Sequence, residues 1–237
     1  MNLKSKTAIV TGASRGLGAS ISALLIQNKC RVFGIARSED KLNKMQQKLG
    51  DLFVPVTLDI TSQHEIASWV EETFSERQSP DILINNAGAG YFAEVDKLSL
   101  EKWHQMVETN LNGVFYLTKE VIPFMKSADS MSHIINIGSI LGKTANAKQS
   151  AYSATKFAIQ GFSEALSKEL RHDGVKVTCL NPGSIETDFF RESGIQPHNK
   201  MMKPDTIAQT VQHILKTPDN ILISDVTMRP LNSKIGT

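Results

Sequence analysis

Short β-branched runs alternate with longer helical stretches along almost the whole chain. The runs "TAIV" (7–10), "RVFGIA" (31–36), "FVPVTL" (53–58), "DILI" (81–84), "HIINI" (133–137), "VKVTCL" (175–180) and "ILISDVTM" (221–228) mostly lack polar alternation. That is the pattern of strands covered on both faces. Helix signals lie between them. Ser62 and Glu65 in "SQHE" make a capping box ahead of "IASWVEETF". Pro204 stands where a first helical turn begins, ahead of "DTIAQTVQHILK". The alternation predicts an α/β fold: a parallel sheet with helices on both faces, joined by right-handed crossovers. No repeat, low-complexity linker or change of composition interrupts it, so one domain over residues 1–237 is expected.

Composition narrows the partners. The charge of +2 is too small to suggest nucleic acid, and no basic run of five or more occurs. Cys30 and Cys179 are far apart with no CxxC, so neither a disulfide framework nor a zinc site is indicated. The histidines show no HExxH spacing, and no metal is expected. "MNLKSKTAIV" is too short an apolar stretch for a signal peptide, and no run approaches the ~18 apolar residues of a membrane span. The expectation is a soluble, cytoplasmic protein that binds neither nucleic acid nor membrane.

In a sheet of this kind, ligands bind beyond the carboxyl ends of the strands. After "TAIV" comes "TGASRGLG", after "RVFGIA" comes Arg37, and after "FVPVTL" comes Asp59. After "DILI" comes "NNAG", after "HIINI" comes "GS", and after "VKVTCL" comes "NPG". Small, polar or turn-forming residues therefore gather at one edge six times over. The first of these turns carries Gly12, Gly16 and Gly18, with Ser14, Arg15 and Leu17 between them, and leads into a helix ending near Asn28. Glycines let the backbone turn tightly and approach a pyrophosphate, and the helix start offers free N–H groups. A glycine-rich turn without a ligand remains an alternative. At the end of the second strand stand Arg37 and Ser38 with no acid. Glu39 and Asp40 fall in the next helix's first turn, where acids are favoured in any case. Arginine there suits a ribose 2′-phosphate, and Arg15 adds a second cation, so NADP(H) is the expected cofactor. A merely solvated Arg37 is the alternative. Asp59, followed by Ile60, has two compatible readings: capping the next turn, or meeting the adenine amino group.

Tyr152 and Lys156 in "YSATK" stand at i and i+4, on one face of a helix. Tyrosine titrates near ~10, far from neutrality. A lysine ammonium ~4 Å away at an effective dielectric of ~20 favours phenolate by up to ~4 kcal/mol. That predicts a shift of up to ~3 units, toward ~7. The lysine's donors can also hold ribose hydroxyls, and the small "SAT" spacer leaves room for a cofactor. Ser139 emerges after "HIINIG", either as an ordinary turn serine or as a donor to a carbonyl oxygen shared with Tyr152.

The ordered set of TGxxxGxG (glycines 12, 16 and 18), "NNAG" (85–88), Asn110, Ser139, YxxxK (152–156) and "PGSIET" (182–187) resembles the short-chain dehydrogenase/reductase family, single-domain branch. The likeness runs from about Thr7 to Thr187. It implies a Rossmann-like doubly wound sheet of seven parallel strands in the order 3-2-1-4-5-6-7. It also implies a catalytic set of Asn110, Ser139, Tyr152 and Lys156, with Asn110 helping to position a water that links Lys156 to solvent. By the same likeness Asn86, Ala87 and Gly88 support the adenine ribose. Pro182, Gly183, Ile185 and Thr187 lie over the nicotinamide.

The expected function is that of an NADPH-dependent oxidoreductase reducing a ketone to a secondary alcohol, with Tyr152 as proton donor. The alternative is a non-catalytic dinucleotide-binding sensor or scaffold. A sugar-nucleotide epimerase of the extended branch would need a substrate domain, and only about 50 residues follow Thr187. The polar segment 188–204 is expected to form a lid. Phe189, Phe190, Met201 and Met202 either line a pocket or pack that lid down; Leu141 adjoins Ser139, and Tyr91 and Phe92 face them. The resemblance includes 3-oxoacyl carrier-protein reductases, which makes a 3-oxoacyl thioester or 3-oxo acid a candidate. The base-poor "KSADSMS" (126–132) and the tail "SDVTMRPLNSKIGT" weaken that reading. Pairing through the helices near 99–126 and 152–172 predicts a homodimer or homotetramer.

Overall fold

The computed structural model describes residues 1–189 and 200–231. Its strands are β1 (Thr7–Thr11), β2 (Arg31–Ala36), β3 (Phe53–Thr57), β4 (Ile82–Asn85), β5 (Ser132–Ile137), β6 (Val175–Pro182) and β7 (Asp225–Met228). They form one parallel sheet in the order β3-β2-β1-β4-β5-β6-β7. The helices are α1 (Gly16–Gln27), α2 (Glu39–Leu49), α3 (Gln63–Thr73), α4 (Leu100–Val107), α5 (Gly113–Lys126), α6 (Ser150–Leu170) and α7 (Pro204–Leu215). This is a Rossmann-like α/β fold, as expected.

The continuous apolar strands serve two cores. Successive side chains on β1 point to opposite faces. Ala8 and Val10 pack with Leu17, Ile21, Val211 and Ile214 beneath α1 and α7. Ile9 packs with Ile66, Val70, Leu117 and Leu166 beneath α3, α5 and α6. Each fully buried Leu or Ile in these layers contributes about 1.5–3 kcal/mol of transfer free energy.

Local sequence sets the helix starts. The Ser62 hydroxyl accepts from Glu65 N–H at 3.3 Å. The Glu65 carboxylate reaches back to Asp59 N–H at 3.2 Å, so the capping box closes on Asp59 rather than on Ser62. Pro204 opens α7. Edge strand β3 carries Pro55, a residue tolerated there because an edge can spare a ladder donor.

Two boundaries differ from expectation. β7 begins at Asp225 and not at Ile221. The carbonyls of Ile221 and Ile223 accept from Lys176 Nζ (2.7 Å) and Thr178 Oγ1 (2.6 Å) instead of from ladder amides. The helix expected through 99–126 is divided by one π turn, Glu108–Asn112, between α4 and α5. Among the described residues no helix is long and apolar enough to cross a membrane.

Candidate active site

A cleft of ≈ 640 Å³ opens at the carboxyl end of the sheet, within the usual range for a small-molecule site. The glycine turn forms its floor. Gly12 and Gly16 have φ of +67° and +54°, the left-handed region that favours glycine. Thr11 ties this turn to the next strand's loop. Its hydroxyl accepts from Asn86 N and Ala87 N, both at 2.9 Å, and its carbonyl accepts from Asn86 Nδ2 at 2.8 Å. Gly18 does not line the cleft. A Cβ there would stand 2.3 Å from Gly12 O, so Gly18 lets α1 lie against the turn.

Helix α1 has no side-chain cap and no acid in its first turn. Its leading N–H groups and positive dipole end therefore suit an anion. Ser14, Arg15, Gly16 and Leu17 line the cleft there, and Arg37, Ser38 and Lys41 line it beyond β2. Lys41 was missed in the sequence. The signal is its i+4 spacing from Arg37, readable only once both are placed at this edge. Asp59 and Ile60 line the same region. Asp59 Oδ1 also accepts from Thr61 N (3.0 Å) and Thr61 Oγ1 (2.9 Å), which is the turn-capping contact. Asn86, Ala87 and Gly88 form the central wall. The opened glycine turn, the uncapped helix and three cations fit a phosphorylated dinucleotide.

At the other end Ser139, Tyr152 and Lys156 converge, all three buried. The Ser139 side chain stands beside the Tyr152 phenol and acts to favour the phenolate. Burial acts more strongly and pushes the phenol above its ordinary value of 10. Lys156 Nζ donates to Ile137 O at 2.8 Å and lies 5.7 Å from the centre of the Tyr152 ring. Burial lowers its pKa to about 8. The expected fall of Tyr152 toward neutrality is therefore corrected: desolvation dominates, and the ammonium is turned toward a backbone carbonyl.

Asn110 sits in the π turn, buried but not lining the cleft. Its amide donates to Ala89 O (2.8 Å) and Thr155 Oγ1 (3.0 Å), and its carbonyl accepts from Ala89 N (2.8 Å). These three bonds hold the loop after β4 against α6.

Pro182, Gly183, Ile185 and Thr187 line the third wall. Leu141, Phe92 and Phe189 line the apolar end, and Phe92 meets the Tyr152 ring edge-on at 5.4 Å between centroids. The Phe189 ring stands 5.9 Å from Tyr152. It also fills the space over Gly90, where a Cβ would come within 2.4 Å of it. Asn146, Gln149 and Pro230 complete this end; the sequence offered no spacing that would bring them in. Met201 and Met202 pack the returning chain down and do not line the cleft: Met202 N donates to Ser184 O at 2.9 Å. Phe190 and the expected lid from 190 to 199 lie outside the described residues.

The family model for short chain dehydrogenases matches residues 6–197. An uncharacterized oxidoreductase of Staphylococcus saprophyticus is 33% identical over 98% of this chain and 100% of its own length. The solved closed form of a serine dehydrogenase complexed with NADP+ has a TM-score of 0.87 at 29% identity, covering 98% of each chain. A 3-ketoacyl-(acyl-carrier-protein) reductase from Brucella melitensis, complexed with NADH, has a TM-score of 0.89 at 25% identity, covering 98% of this chain and 100% of that one. With its glycine turn, its Ser–Tyr–Lys cluster and a match over most of its length, the chain belongs to the short-chain dehydrogenase family of oxidoreductases.

Proposed function

We propose that the protein is an NADPH-dependent oxidoreductase that reduces a ketone to a secondary alcohol. The observation that carries this reading is the convergence of buried Ser139, Tyr152 and Lys156 at one end of a cleft whose other end gathers Arg15, Arg37 and Lys41. Bound along this cleft, NADPH would supply a hydride to the carbonyl carbon. The three cations and the start of α1 hold its phosphates. Lys156, through its donors, holds the nicotinamide ribose.

Tyr152 performs the proton transfer. Its raised pKa keeps it protonated at neutral pH, which suits a general acid. The Ser139 hydroxyl orients the carbonyl oxygen, and the phenolate left after transfer is stabilised by the adjacent Lys156 ammonium. Phe92, Leu141 and Phe189 favour a ketone with an apolar substituent, which includes a 3-oxoacyl thioester. The segment 188–204 serves as a lid, with Phe189 as its inner face.

The test is consumption of NADPH and NADH against a ketone panel, with Tyr152→Phe alongside. Wild type turns over with NADPH preferred, and the variant loses ~10²–10⁴-fold in kcat while still binding NADPH. Full activity in Tyr152→Phe sinks the mechanism. A wild type that binds NADPH yet reduces nothing would favour a nucleotide sensor.

A further inference from the structure

Behind Ser139 a chain of hydrogen bonds runs outward to the sheet edge. Ser139 N–H donates to Asn181 Oδ1 at 3.1 Å. Asn181 Nδ2 donates to Gln160 Oε1 (2.8 Å) and to Asp225 Oδ2 (3.2 Å). Gln160 Nε2 donates to the same Asp225 oxygen at 2.7 Å. The other oxygen, Asp225 Oδ1, accepts from Lys143 Nζ. Lys143 directly follows the short 3₁₀ turn Ile140–Gly142 that begins at Ser139.

The register explains the convergence. Asp225 opposes Cys179 on β6, so it shares a face with Asn181, two residues further on. Gly138 opposes that face without a side chain. A Cβ there would stand 2.1 Å from Asn181 Oδ1, and its absence lets Asn181 reach the Ser139 amide. Asn181 itself is fully buried. A carboxylate that accepts from both amides orients them and sharpens the Asn181 carbonyl as an acceptor. Exposed ion pairs count for little, but here only one oxygen faces the lysine. The other belongs to the amide network.

We propose that Asp225 is a positioning residue for this reaction, acting through Asn181 on the Ser139 amide and through Lys143 on the end of the following turn. The carboxylate fixes both ends of the segment that carries the Ser139 hydroxyl into the cleft beside Tyr152. This rests on the reductase reading and adds to it a residue on the edge strand, outside the cleft.

The test compares wild type, Asp225→Asn, Lys143→Met, Ser139→Ala and the Asp225→Asn/Ser139→Ala double variant, all as full chains. Asp225→Asn lowers kcat about 10-fold with KM and NADPH affinity unchanged. In the Ser139→Ala background it costs nothing further, because the two act as one unit. Equal losses in both backgrounds overturn the proposal. Hydrogen exchange read by mass spectrometry needs no substrate. Asp225→Asn and Lys143→Met speed exchange across 138–143 and leave 16–27 unchanged. Unchanged exchange across 138–143 overturns the proposal even if turnover falls. Should wild type bind NADPH and reduce no ketone, the reductase reading fails, and the role in reaction fails with it; faster exchange would then mark the clamp alone.

Discussion

His133 is a buried base in a place that tolerates no charge. Thr178 donates its hydroxyl to Ile223 O (2.6 Å), which leaves its oxygen to accept from His133 Nε2–H at 2.8 Å. Burial, reinforced by Lys176, lowers its pKa from 6.5 to about 3. The unfolded chain binds this proton below pH 6.5 and the folded chain does not. Stability is therefore full above 6.5 and falls as pH drops toward 3, by up to about 1.4 kcal/mol per unit. Urea titrations at two pH values straddling 6.5 should show this loss, and His133→Gln should flatten it; an unchanged slope would rule it out. At the cofactor end, Arg37→Glu should weaken NADPH binding at least ~10-fold and reduce its salt dependence. A titration by nucleotide fluorescence reads both. Residues such as Tyr152, Ser139 and Arg37 were legible because each is tied to a strand end or a helical i, i+4 pair. Lys41, Asn146, Gln149 and Pro230 were not: their place depends on how the chain folds back. Nor was the upward shift of Tyr152, since burial is a property of the packed site.

Among the elements, the π turn at Glu108–Asn112 matters most to the site. Such turns have no sequence signature of their own, which is why an unbroken helix was expected. In the structure, the turn brings Asn110 against both polar groups of Ala89 and against Thr155. Asn110→Ala should leave the Ala89 N–H and C=O without these partners, costing about 2–4 kcal/mol. A urea midpoint that does not move would show that water replaces the amide at no cost. Strand identities were readable from apolar runs, whereas the start of β7 was not. Ile221 and Leu222 look like strand, but β6 side chains capture the carbonyls of Ile221 and Ile223 before the ladder begins.

At the scale of the molecule, the exposed Trp103, Phe115 and Phe157 lie on three neighbouring helices, α4, α5 and α6. A second copy is the expected cover for them. Light scattering should give at least a dimer, and Trp103→Glu with Phe115→Glu should lower the mass; a monomeric wild type would overturn this. Strand order came from the resemblance, because alternation alone fixes a parallel sheet but not the sequence of its strands.

The uncapped start of α1 has a consequence for the lifetime of the protein. The first amides of α1 have no side-chain cap, so a bound phosphate does part of the stabilising that α3 and α4 obtain from Ser62 and Ser99. NADPH at about 100 times its Kd should add ~2.7 kcal/mol to folding, visible as a higher melting temperature than NADH produces. Copies that have found their dinucleotide should outlast those that have not, so the amount of this protein in a cell would follow the supply of its redox currency.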